Sequence, residues 1–220
     1  MFQTLPRHVS RMAVPVMSRA EPTEDAVAMR QLRHQTKNAL QRIIAQLDKT
    51  ELRDTPAGAA LADEIERRIF LTARISDALF GLTECPGPLQ SRLTSLCDGV
   101  VALMTDIEQT IQTEVSVNGA CHPGYEQTVI QVAHEMVANA VKHGMHMRLV
   151  GRIDVHFRAG RPDGSAILTV SDDGWGPAPG TEGGDGLPIM RALAERHGGT
   201  VSLDRQNGLT IARLCLPGVG

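Results

Sequence analysis

Apolar positions recur at spacings of three and four along two stretches near the start of the chain. Between Glu21 and Lys49, Met29, Leu32, Thr36, Ala39 and Ile43 form one stripe, which Leu40, Ile44 and Leu47 broaden. This is the pattern of a bundle helix. Pro22 sits near its start, where a missing N–H costs nothing. Arg53-Asp54-Thr55-Pro56 breaks the pattern, and Leu61, Ile65, Ile69, Thr72, Ile75 and Leu79 define a second helix. Two amphipathic helices joined by a short turn make an antiparallel hairpin. Its broad apolar stripe needs a cover, so a second copy is expected to complete a four-helix bundle in a homodimer.

Glu84-Cys85-Pro86-Gly87-Pro88 reads as a linker. After it the pattern mixes helix and strand periods. Leu89–Glu108 reads as helix, Thr113–Val117 as a short strand and Gly124–Gly144 as a second helix with Val129, Val132, Met136, Val137, Ala140 and Val141 on its apolar side. Strands follow near Gly151–Phe157 and Ala166–Ser171, then a Gly-rich loop from Asp172 to Gly186. A helix from Leu187 to Arg196 precedes strands at Thr200–Asp204 and Leu209–Leu216, turned by Asn207-Gly208. The expected fold is α+β: a helical hairpin, then an antiparallel or mixed sheet with helices on one face. The expected boundaries are a flexible arm over residues 1–20, a helical domain over 21–83 and an α/β sandwich over 89–220.

Composition narrows the classes. Hydrophobic residues make up 42% and aromatics only 3%, so the core must be aliphatic. The formal charge of −3 argues against an electrostatically driven nucleic-acid binder. None of Cys85, Cys97, Cys121 and Cys215 forms a CxxC pair, which fits a reducing cytoplasm. No apolar run is long enough to span a membrane.

Two constellations carry chemistry. Glu135, Asn139, Lys142 and His143 are spaced by four, three and one and share one helical face. A carboxylate, an amide oxygen and cations there suit a Mg-triphosphate, although a solvated polar face has the same look. Ser171-Asp172-Asp173-Gly174-Trp175-Gly176 ends an apolar strand, and Gly183-Gly184-Asp185-Gly186-Leu187 opens a helix. A carboxylate at a strand end can accept from an adenine amino group, glycines admit close backbone approach, and a helix N-terminus favours phosphate.

In order and spacing these blocks resemble the N, G1 and G2 boxes of the histidine kinase, gyrase, chaperone and mismatch-repair ATPase superfamily, with its Bergerat-type fold, over roughly Leu89 to Pro217. The resemblance implies that Asn139 ligates Mg²⁺ and that Glu135 polarises a reacting group or water. It implies that Lys142 and His143 contact phosphates and that Asp172 reads adenine. Gly174, Gly176, Gly184, Gly186 and Leu187 would shape the pocket and lid. Leu32-Arg33-His34-Gln35-Thr36-Lys37-Asn38 resembles the phosphoacceptor box of the His-Arg-x-Lys-Asn (HisKA_2 or HWE-like) histidine kinases, with Gln35 in place of the usual Arg. His34 lies about 200° around the helix from Leu32 and Thr36, away from the stripe. A related subfamily carries His-Glu in its N box, as His134-Glu135 does here, with a Trp-x-Glu further on that is missing at His156-Phe157-Arg158-Ala159.

The expected activity is therefore autophosphorylation of His34 from Mg-ATP, with transfer to an Asp on a response regulator receiver domain. Asn38, one turn from His34, would orient a water for dephosphorylation. No sensor or receiver domain is recognisable, so input from a separate sensor or regulatory protein is expected. Two other readings stand beside this one. An ATP-independent phosphorelay shuttle would use His34 alone, and an anti-sigma-type serine kinase or binding module would use the ATP fold alone.

Overall fold

The computed structural model describes residues 42–45, 51–80, 87–106, 108–160, 165–176 and 186–218. Residues 42–45 are helical. The rest of the helix expected over Glu21–Lys49, with His34 and Asn38, lies outside the described residues, as does the 1–20 arm.

Helix α1, Pro56–Phe80, starts where the sequence places a proline in the first turn. Thr55 Oγ1 caps it, accepting from Gly58 N at 3.1 Å. Helix α2 spans Leu89–Met104, shorter than the 89–108 expected, because Thr105 turns extended and ends it. The two helices share one apolar seam. Ile75 and Ala78 of α1 join Leu93, Leu96 and Val100 of α2 in the main core. Gly99 makes room there, since a Cβ on it would come 2.9 Å from Ile75 Cγ1. Polar bonds reinforce the seam: Arg67 Nη1 donates to Ala102 O at 2.9 Å and Arg92 Nη2 to Ala78 O at 3.0 Å. Helix α1 is thus seated directly on the helices that follow it.

This seam takes up one edge of the expected stripe. Of the stripe residues on α1, Ile75 is buried and Leu79 is packed against the core, but Leu61 is 53% exposed and Thr72 is exposed. The buried side instead runs through Leu71, Ile75 and Ala78. Periodicity locates an apolar arc; the neighbour chooses which edge of it to cover.

Five strands follow: β1 Thr110–Asn118, β2 Val150–Arg158, β3 Ala166–Asp172, β4 Thr200–Gln206 and β5 Leu209–Leu216. Their order is β1-β2-β3-β5-β4. Only the β1–β2 pair is parallel, running from Thr110↔Val150 to Asn118↔Arg158. Helix α3, Pro123–Asn139, makes the crossover that a parallel pair needs. Helix α4 spans Gly186–Glu195. The sheet is mixed, as the tight hairpins and the single crossover predict. Asn207 and Gly208 both adopt positive φ, 52° and 83°, as a two-residue hairpin turn requires.

Alternation sorts the sheet faces. Ile153, Val155 and Phe157 of β2, Leu168 and Val170 of β3 and Leu214 of β5 are buried. They face Val129, Val132, Ala133, Met136 and Val137 of α3 in the same cluster. The opposite face is solvated and charged, with Arg152 paired to Glu114 at 2.6 Å. Among the described residues no helix is long and apolar enough to cross a membrane.

The seam makes a direct prediction. Ile75→Ala should cost about 2–4 kcal/mol in urea denaturation, as buried large-to-small changes do. Leu61→Ala, outside the seam with α2, should cost less than Ile75→Ala. The reverse order would place the packed face of α1 elsewhere.

Candidate nucleotide site

Two elements end against each other at the site. Helix α3 stops at Asn139, and residues Ala140–Gly144 form a π-helical turn closed by Met145 N donating to Ala140 O at 3.0 Å. A π turn takes one more residue per turn and recurs at functional sites. It alters the shared face that α-helical spacing predicts. Glu135 and Asn139 stay one α-turn apart, while Lys142 and His143 follow on the wider turn. Lys142 is exposed and His143 half-buried. Burial, then the charge of Lys142, holds the His143 pKa below the ordinary imidazole value.

Strand β3 ends on Asp172, which is only 5% exposed. Its Oδ1 accepts the Gly174 N–H at 3.0 Å. Burial is the dominant influence and pushes its pKa above the ordinary carboxylate value. The Gly174 N–H pulls it back, Asp173 raises it, and Arg205 and Arg148 lower it.

The end of α3 and the end of β3 meet through glycine. Trp175 N donates to Gly144 O at 3.0 Å. A Cβ on Gly174 would collide with the Gly144 backbone, and one on Gly144 would collide with the Asp172 carboxylate. Neither residue can carry a side chain without separating the two elements. A second meeting involves Gly186 at the start of α4. A Cβ there would lie 3.2 Å from Glu135 Oε2 and 3.4 Å from Asn139 Nδ2. Leu187 packs against the core beside it.

The structure therefore brings Glu135 and Asn139 to Gly186, and Gly144 to Asp172 and Gly174. Lys142 and His143 sit on the turn between these two meeting points. Gly176 adopts a φ of 74° with Arg205 against it. Gly184 lies outside the described residues. Sequence reasoning missed Arg148 and Arg205, both of which bond to the loop after Asp172. Each is an isolated cation with no periodic partner, so spacing gave no signal for either.

The donor set suits a hard cation only in part. Among the described residues no group of three His, Cys, Asp or Glu could hold a metal. The amide oxygen of Asn139 is of the kind that Mg²⁺ takes when phosphates and water complete its shell.

Comparison with known proteins shows what this part of the chain is similar to. Residues 124–219 match the family described as histidine kinase-, DNA gyrase B-, and HSP90-like ATPase. The matched segment runs from helix α3 to the end of the sheet, and that segment is what the likeness to the family covers. No curated protein matches the chain. Among solved structures, the chain is similar to the Erythrobacter litoralis EL346 blue-light activated histidine kinase. Identity is 20% and the TM-score 0.55, over 89% of this chain and 60% of that one. It is likewise similar to the histidine kinase domain of that protein, with 18% identity, a TM-score of 0.56 and coverage of 88% and 94%. The chain thus spans 60% of the length of the longer relative, and the likeness is one of fold.

Asp172 supplies a signed prediction. A carboxyl whose folded pKa exceeds its unfolded value binds more protons when folded, so stability falls as the pH rises through that window. Asp172→Asn removes this loss and keeps an oxygen for the Gly174 N–H. The variant should melt above the parent at pH 7, with the gap closing as the pH falls toward 3.8, the ordinary value. A lower melting temperature at pH 7 would show that the buried charge is stabilising.

Proposed function

We propose that the chain is a histidine kinase core of the His-Arg-x-Lys-Asn group. It moves the γ-phosphoryl group of Mg-ATP to His34 and then to an Asp of a response regulator receiver domain. The observation that carries this reading is the convergence of Glu135, Asn139 and Gly186 with Gly144, Asp172 and Gly174 inside a segment that matches the ATPase family.

In this reading Asp172 Oδ2 accepts the adenine amino group while Oδ1 stays on Gly174. Asn139 would offer its amide oxygen to Mg²⁺, which would neutralise phosphate charge, and Lys142 and His143 would face the phosphate oxygens. Gly174, Gly176, Gly184, Gly186 and Leu187 shape the pocket and its lid. The His34 imidazole nitrogen forms a bond to the γ-phosphorus as the bond to the β-phosphate oxygen breaks, and ADP leaves. Glu135 polarises the imidazole for this attack. Positioning and charge stabilisation do most of the work in phosphoryl transfer. Asn38 orients a water for dephosphorylation, in which the water oxygen bonds to phosphorus and inorganic phosphate leaves. The protein acts as a cytoplasmic homodimer and takes its input from a separate sensor or regulatory protein.

The direct test is incubation of the purified chain with γ-labelled ATP and Mg²⁺ beside His34→Ala. The parent should acquire an acid-labile, alkali-stable label and the variant none. Equal labelling of both would remove His34 from the reaction. A parent that neither binds ATP nor becomes labelled, yet accepts phosphate from a phosphorylated receiver, would favour the shuttle.

Asn139→Ala should weaken Mg-ATP binding at least tenfold, about 1.4 kcal/mol, with a much smaller effect when Mg²⁺ is chelated. Unchanged affinity and unchanged Mg²⁺ dependence would reject the metal assignment.

A further inference from the structure

We propose that Arg205 and Arg148 are positioning residues that lock the loop after Asp172 in its nucleotide-reading shape; this rests on the ATP-site reading above. The evidence is a run of three consecutive carbonyls, all taken by guanidinium groups. Arg148 Nη1 donates to Asp173 O at 2.7 Å. Arg205 Nη2 donates to Gly174 O at 3.2 Å and Nη1 to Trp175 O at 2.6 Å.

The two arginines come from different parts of the chain. Arg205 belongs to β4, and its Nη1 and Nη2 also reach Thr210 Oγ1 at 3.3 Å and Gly208 O at 3.5 Å. Arg148 follows the π turn. Its Nε donates to Val150 O at 3.2 Å, and its guanidinium carbon lies 5.7 Å from the Trp175 ring centroid. That separation permits a cation–π contact. The loop is therefore tied at once to the edge hairpin of the sheet and to the segment leaving α3.

Fixing the carbonyls fixes the amides, because each peptide unit is planar and turns as one body. The Gly174 N–H can meet Asp172 Oδ1 only while the neighbouring peptide planes keep their orientation. A glycine-rich loop has many other conformations open to it. Donors with fixed, forked geometry select one of them before any ligand arrives, which is the function of a preorganised site. Gly176 completes the fit, since a Cβ there would collide with Arg205 Nη1.

Trp175 offers a built-in probe. It is the only tryptophan in the chain, it is 69% exposed, and both clamps touch it. The test compares the full chain with Arg205→Ala, Arg205→Lys and Arg148→Ala. Equilibrium dialysis measures ADP binding, tryptophan emission reports the ligand-free loop, and thermal melting reports stability. ADP affinity should fall at least tenfold in Arg205→Ala and at least threefold in Arg148→Ala. Arg205→Lys should recover part of the loss, and the ligand-free emission maximum should move in both alanine variants. ADP affinity within twofold of the parent in both alanine variants would overturn the clamp. So would a loss that tracks melting temperature alone, with emission unmoved and no recovery in Arg205→Lys. A parent that binds no ADP would overturn the ATP-site reading itself, and that result is seen before any variant is made.

Discussion

Everything at the site depends on the close approach of two glycine-bearing backbones. The last turn of the α3 segment and the first turn after β3 touch at Gly144 and Gly174, with no space for a Cβ on either side. The bond from Trp175 N to Gly144 O closes the contact. A helix end and a strand end are thereby fixed as one rigid unit. Without that contact Asp172 would be a carboxylate on a loop, and Asn139 an amide on a helix face at no set distance from it.

That unit holds a charge where stability alone would not put one. Asp172 is buried, and burial is the main reason its pKa is raised. An apolar or amide side chain would meet less cost there. In the proposed reading one carboxylate oxygen is committed to Gly174 and the other serves recognition of the ligand. Arg148 and Arg205 offset part of the cost, because both favour the ionised form. The same two side chains occupy the loop's carbonyls, so electrostatic support and backbone restraint come from one pair of residues.

Much of this was legible in the sequence, and the unread parts share a cause. The β4–β5 hairpin follows from Asn207-Gly208 between two alternating runs, and β2 and β3 follow from strict alternation. The blocks around Asn139, Asp172 and Gly186 were recognisable because glycine and a carboxylate at an element end are unusual enough to notice. The π turn was not legible, because no residue spacing in the sequence marks an i→i+5 bond such as Met145 N to Ala140 O. The edge of α1 that α2 covers, through Leu71, Ile75 and Ala78, was not legible because periodicity marks only the wider apolar arc. Arg148 and Arg205 were invisible for the same reason: their partners are carbonyls distant in sequence.

The measurement that tests the central claim most directly is amide chemical-shift mapping of the isotopically labelled chain with Mg-ADP. The account predicts the largest changes at Asn139, Asp172, Gly174, Trp175 and Gly186, with the solvated strand face around Arg152 and Asp154 unmoved. Saturable changes confined to other surfaces would contradict a nucleotide site at this junction, as would an unchanged spectrum at millimolar ligand.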